Sequence, residues 1–140
     1  MPFHLAIFGE DVLSADAETK RVLYLLNRCN VTNIALYSAE KMPKELRSLG
    51  TENNLQGRWL CAKDEDEVIR TILAHYEIFP HDTLYVGHLP PSIGRAKKAG
   101  IATICLGKYL SPSYIEGTRP HYIVRSIPEV FAIVYAQLGS

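Results

Sequence analysis

The side chains of this chain that carry chemistry stand directly after short apolar runs. Glu10 and Asp11 follow Leu5–Phe8, Ser38 follows Asn33–Tyr37, Lys63 follows Arg58–Cys61, and His88 and Ser92 follow Thr83–Val86. A hydroxyl and an ammonium group, with backbone N–H groups at helix starts, hold a phosphate or sulfate, and an imidazole can serve as nucleophile or base. Each residue also has a plainer account. A Ser that ends a strand is common in turns. Lys63 beside Asp64, Glu65 and Asp66 also suits a solvated helix N-terminus, where negative charge is favoured. His88 has no carboxylate or second histidine placed to orient it and no further ligands at zinc spacing, so it also reads as a hydrogen-bonded strand-end residue.

These positions converge only if the apolar runs are neighbouring parallel strands. Short runs alternate with helical stripes along the chain, the pattern of a parallel sheet with crossover helices. Leu5–Phe8, Asn33–Tyr37, Arg58–Cys61, Thr83–Val86 and Ala102–Leu106 are the expected strands, with Tyr122–Val124 a short sixth. Most lack two-residue alternation, as strands covered on both faces do. Val22, Leu25, Leu26 and Cys29 form one helical stripe, and Val68, Ile69, Ile72, Leu73 and Tyr76 another. Asp64 with Glu67, and Ser126 with Glu129, are helix start signals. A short helix is expected around Pro43–Leu49, and Arg47–Gly57 reads as the loop after it. Ligands of such sheets bind beyond the carboxyl ends of the strands, which nominates Gly9–Leu13, Ser38–Glu40, Cys61–Asp64, Gly87–Ser92 and Gly107–Tyr109.

Fifteen basic and fifteen acidic side chains cancel in a chain of 140 residues, so no electrostatic footprint recommends nucleic acid or an anionic membrane. The hydrophobic share of 47% is ample for one core. Cys29, Cys61 and Cys105 are odd in number and far apart, which suits reduced thiols and a cytoplasmic protein. The apolar N-terminal run breaks at Gly9-Glu10-Asp11 and lacks a basic lead, so no signal peptide or membrane span is expected there.

The run Leu84-Tyr85-Val86-Gly87-His88-Leu89-Pro90-Pro91-Ser92-Ile93-Gly94-Arg95-Ala96-Lys97-Lys98-Ala99-Gly100-Ile101 resembles one wall of the active site in phosphatases of the haloacid dehalogenase (HAD) superfamily, and the resemblance spans nearly the whole chain. It implies a single three-layer Rossmann-like α/β domain over residues 1–140, with a mostly parallel five- to six-stranded sheet, helices on both faces and no cap domain. In the family an Asp nucleophile ends the first strand and a second Asp two residues later is general acid and base. The matching positions here are Gly9 and Asp11. The family's phosphate-binding Ser or Thr falls on Ser38 and its Lys on Lys63. Its acidic, magnesium-holding pair falls on His88 and Ser92. The flap between first strand and first helix shrinks to Val12–Ala15 before a helix beginning near Asp16.

Loss of nucleophile, metal pair and flap together implies a catalytically degenerate HAD-like domain, a non-enzymatic binding, scaffolding or regulatory protein. The alternative is a hydrolase with an altered site, for example one using His88, acting on a small phosphorylated substrate. A receiver domain, with Glu10-Asp11 as its acidic pair and Lys108 as its lysine, lacks the central Asp, since Leu60, Cys61 and Ala62 stand there. No cofactor is expected, and magnesium is disfavoured because it prefers carboxylate oxygens. The expected partner is a protein, with a phosphate-like anion at Ser38 and Lys63, no nucleic acid and no membrane, and self-association through an edge strand left open. Tyr109, Tyr114 and Arg119 are the candidate interaction residues, tyrosine and arginine being favoured in interface centres.

Overall fold

Six short runs of extended chain lie side by side, the central ones, Leu5–Phe8 and Thr83–Gly87, buried on both faces. The computed structural model describes residues 3–10, 12–38, 43–49, 55–59, 65–107 and 119–138. Its strands are β1 (Leu5–Phe8), β2 (Thr32–Tyr37), β3 (Leu55–Trp59), β4 (Thr83–Gly87), β5 (Ala102–Leu106) and β6 (Tyr122–Val124). Their order across the sheet is β3-β2-β1-β4-β5-β6, and every pairing is parallel. This is a doubly wound order with its topological switch at β1.

The two faces are read off successive residues of one strand. Ala6 and Phe8 pack on one side with Ala35, Leu84, Val86 and Ile104, while Leu5 and Ile7 pack on the other with Ile34, Leu36 and Tyr85. Helices α1 (Ala17–Arg28), α2 (Lys44–Leu49) and α5 (Ile127–Leu138) cover the first face through Val22, Leu23, Leu26, Leu46, Leu49, Val130 and Val134. Helices α3 (Glu65–Tyr76) and α4 (Pro90–Lys98) cover the second through Ile69, Ile72, Ile93 and Ala96. Burying each such side chain is worth about 1.5–3 kcal/mol, so the two layers hold the strand ends in fixed register.

The helix starts are fixed by side chains. Asp16 caps α1 by accepting from the Thr19 N–H at 2.7 Å, and the Ser14 hydroxyl donates to its other oxygen at 2.7 Å. Glu129 reaches back to accept from the Ser126 N–H at 3.1 Å and the Arg125 N–H at 2.5 Å, one half of a capping box. At the start of α2 the Pro43 carbonyl accepts from the Leu46 and Arg47 N–H groups. Asp64, expected to start α3, lies outside the described residues.

The third strand departs from the sequence expectation. It begins at Leu55, three residues before Arg58, and the expected loop through Gly57 is cut short. Parallel pairing from Asn33↔Leu55 to Tyr37↔Trp59 places Gly57 opposite Ala35, and this tertiary ladder overrides the turn signal of Gly57. Among the described residues no helix is long and apolar enough to cross a membrane.

Candidate functional site

At the switch, β1 and β4 end side by side at the sheet's carboxyl edge. The ladder continues one step past β1, with the Gly9 N–H donating to the Val86 carbonyl at 2.7 Å. Tyr85, paired with Ile7, is 1% exposed and carries its ring across the ends of both strands. A Cβ at residue 9 would stand 2.6 Å from Tyr85 Oη and 3.2 Å from Cζ, and one at residue 87 would stand 2.6 Å from Cε1. Neither glycine has a positive φ. A side chain at either position would have to displace the phenol, which occupies the space it would fill.

Two cavities open at this edge of the sheet. The first, about 320 Å³, lies beyond β1 and β2 and is lined by Gly9, Glu10, Leu13, Leu36, Ser38 and Leu46 among others. The second, about 300 Å³, lies beyond β4 and β5 where α1 and α5 begin, and includes Asp16, Glu18, His88, Arg125 and Ser126. Of the sequence-predicted residues, Gly9 and Ser38 therefore share one cavity, and His88 belongs to the other. Ser92 is half-buried in the first turn of α4. Asp11, Lys63, Tyr109 and Tyr114 lie outside the described residues, as does Cys61.

Asp16 is held below the usual carboxylate range by the Thr19 backbone N–H first, then by the Ser14 hydroxyl. Its charge thus serves the α1 cap. Burial pushes the Cys105 thiol up, which keeps it protonated and poorly nucleophilic. Cys29 and Cys105 are both free thiols. Among the described residues no three His, Cys, Asp or Glu side chains gather as a metal site. At residues 88 and 92 the donors are an imidazole and a hydroxyl, a set that does not fit magnesium, which prefers carboxylate oxygens.

The segment leading into β6 has its own tie. Thr103, fully buried, donates its N–H to His121 Nδ1 at 3.0 Å, and its hydroxyl lies 2.9 Å from the same nitrogen. In return the His121 N–H donates to Thr103 Oγ1 at 3.1 Å. Arg119 adopts a left-handed backbone, φ 48°, and its carbonyl accepts from Lys97 Nζ at 2.5 Å. Tyr122 packs half-buried against the α5 face, its hydroxyl accepting from Gln137 Nε2 at 3.4 Å.

The residue that the sequence reading missed is Tyr85. Its signal was present: an aromatic in a fully buried strand, with a glycine two positions on and another ending the neighbouring strand, is the pattern of a ring lying over glycines.

No family profile matches the sequence, and no curated relative is found. Solved structures do match. A cobalt-bound deoxy-D-mannose-octulosonate 8-phosphate phosphatase from Haemophilus influenzae superposes with a TM-score of 0.75 at 12% identity, over 99% of this chain and 90% of that one. D,D-heptose 1,7-bisphosphate phosphatase from Burkholderia thailandensis gives 0.67 at 12% identity over 97% and 99%. A dehalogenase in complex with an intermediate gives 0.62 at 14% identity over 84% of this chain and 55% of that one, so the chain spans about half of its length. From strand order to helix layers, the chain has the fold of the HAD-like phosphatases and dehalogenases.

Proposed function

We propose that this chain is a catalytically degenerate member of the HAD-like superfamily and acts by binding a partner protein, without turnover of a phosphorylated substrate. One observation carries the reading. The position matching the family's nucleophile is Gly9, and the space that a side chain there would need is held by the Tyr85 hydroxyl, 2.6 Å from where its Cβ would stand. A nucleophile must be held in line with the reacting atom, and here a buried phenol stands at the root of any such side chain. The imidazole of His88 and the hydroxyl of Ser92 at the magnesium positions add to this, and the reading assigns the domain no metal cofactor.

The connection from β1 to α1 supports the same conclusion. It runs over residues 9–16, and among its described residues there is no strand that could form a flap. An edge without a gate excludes water poorly and loses the electrostatic strengthening that closure gives. The free thiols Cys29 and Cys105 support a reducing compartment.

The test is direct. Purified protein is offered a generic aryl phosphate and a panel of phosphorylated metabolites, with and without divalent metals. No turnover above the blank is expected. Sustained turnover that His88→Ala abolishes would overturn the proposal in favour of an altered hydrolase.

A further inference from the structure

The cavity beyond β1 and β2 differs in charge from two other cavities among the described residues. The cavity at the starts of α1 and α5 balances Asp16 and Glu18 against Arg125 and His88. A third, of about 460 Å³ between α3 and α4, sets Asp66 beside Arg70, Arg95 and Lys98. Among the described residues the first has Glu10 as the one charged residue of its lining, with Leu13, Tyr37 and Leu46 as apolar walls. Glu10 is half-buried and makes no ion pair or hydrogen bond among the described residues. A partly desolvated carboxylate without a partner is unfavourable, and a cation brought to it would be retained.

The shape of the lining narrows the kind of cation. Apolar walls suit a methylene stem, and the charged head belongs where the carboxylate stands. Arginine meets both needs: its guanidinium is planar, more weakly hydrated than an ammonium, and matches a carboxylate through two parallel hydrogen bonds. A volume of about 320 Å³ takes one long side chain with its flanking backbone, at the small end of the roughly 300–1,000 Å³ range of ligand cavities. Neighbouring polar groups leave room for this role. The Ser14 hydroxyl is committed to Asp16, and among the described residues the Glu10 carboxylate has lone pairs open to a ligand.

We propose that this cavity receives an arginine side chain of the partner protein, its guanidinium on the Glu10 carboxylate and its stem along Leu13 and Leu46. The proposal rests on the non-catalytic reading above. It reverses the sign of the ligand that the fold's phosphatases hold at their strand ends.

The experiment titrates the capped tripeptide acetyl-Gly-Arg-Gly-amide into the isotope-labelled full chain and follows backbone amide resonances. A citrulline peptide of the same shape, lacking the charge, and inorganic phosphate are the comparison arms. The arginine peptide is expected to move the amides of Gly9, Glu10, Ser38 and Leu46. Both the citrulline peptide and the Glu10→Gln variant should bind about tenfold or more weakly, the size of a charge-assisted contact. An unperturbed spectrum of Glu10→Gln away from the cavity shows that the variant is folded. Equal binding of the citrulline peptide, undiminished binding by Glu10→Gln, or no shift at all overturns the proposal. Phosphate moving these amides while the arginine peptide does not also overturns it, in favour of an anion at Ser38 and Lys63. Such results leave the non-catalytic reading standing, whereas phosphatase turnover would end that reading whatever the peptide does.

Discussion

Replacing Gly9 with alanine adds a single methyl group, and the structure sets what it meets. The new carbon would stand 2.6 Å from Tyr85 Oη and 3.2 Å from Cζ, against an optimum of about 3.5–4.0 Å between carbon atoms. Relief requires moving a ring that is 1% exposed and shares its packing cluster with Ile7, Ile93 and Ala96. Overpacking of this kind costs about 1–3 kcal/mol. At about 3–4 °C per kcal/mol for a chain of this size, Tm should fall by about 3–12 °C. The sign is informative, because Gly→Ala at an unstrained backbone position ordinarily stabilises by about 0.4–1 kcal/mol, and Gly9 has no positive φ. Urea unfolding of Gly9→Ala, Tyr85→Phe and the double variant completes the cycle. Removing the hydroxyl should lower the cost of Gly9→Ala, with a coupling of about 1 kcal/mol or more. A Gly9→Ala variant as stable as the parent, or one equally destabilised with and without the hydroxyl, refutes the reasoning.

Other expectations follow from single contacts. Asp16→Ala should cost about 1 kcal/mol through loss of the α1 cap. Because the folded carboxyl is shifted down from 3.8, the electrostatic part of that contribution is present above the unfolded value and lost as pH falls through the folded one. Urea curves of parent and variant should therefore converge in acid, and a gap that widens there would contradict the assignment. His121→Ala leaves the Thr103 N–H buried without an acceptor, at a cost of about 1–3 kcal/mol, and hydrogen exchange at the Thr103 amide should quicken. Unchanged exchange there would show that the tie does not hold β6. Cys29, partly exposed, should react with a thiol reagent in the native state well before Cys105, whose thiol is fully buried and shifted up; the reverse order, read by mass spectrometry, would contradict the burial argument.

Strands and helices were legible because their apolar residues encode two faces at once. Leu5, Ala6, Ile7 and Phe8 announce a strand covered on both sides, and Ser126 with Glu129 announces the start of the last helix. The start of β3 was not legible, since Gly57 looks like a turn until Ala35 stands opposite it. At the site, the absence of a side chain at Gly9 could be read from the sequence, but its cause could not. Tyr85 lies far from Gly9 along the chain, and only the parallel register Ile7↔Tyr85 brings its ring over that glycine. Likewise His88 and Ser38 follow similar strands, yet fall into different cavities because β1 stands between β2 and β4 in the sheet.

The phenol of Tyr85 also bears on whether residue 9 could accept a carboxylate by mutation. Installing Asp at residue 9 first drives its Cβ into the hydroxyl. Shrinking Tyr85 to alanine first empties a buried volume, a loss of about 3–5 kcal/mol for large aromatic side chains, which is a large part of the roughly 5–15 kcal/mol that holds an ordinary domain together. Either of these changes made alone weakens the fold. The side chain tolerated at residue 9 is therefore set by the one at residue 85, a dependence between positions far apart in the chain.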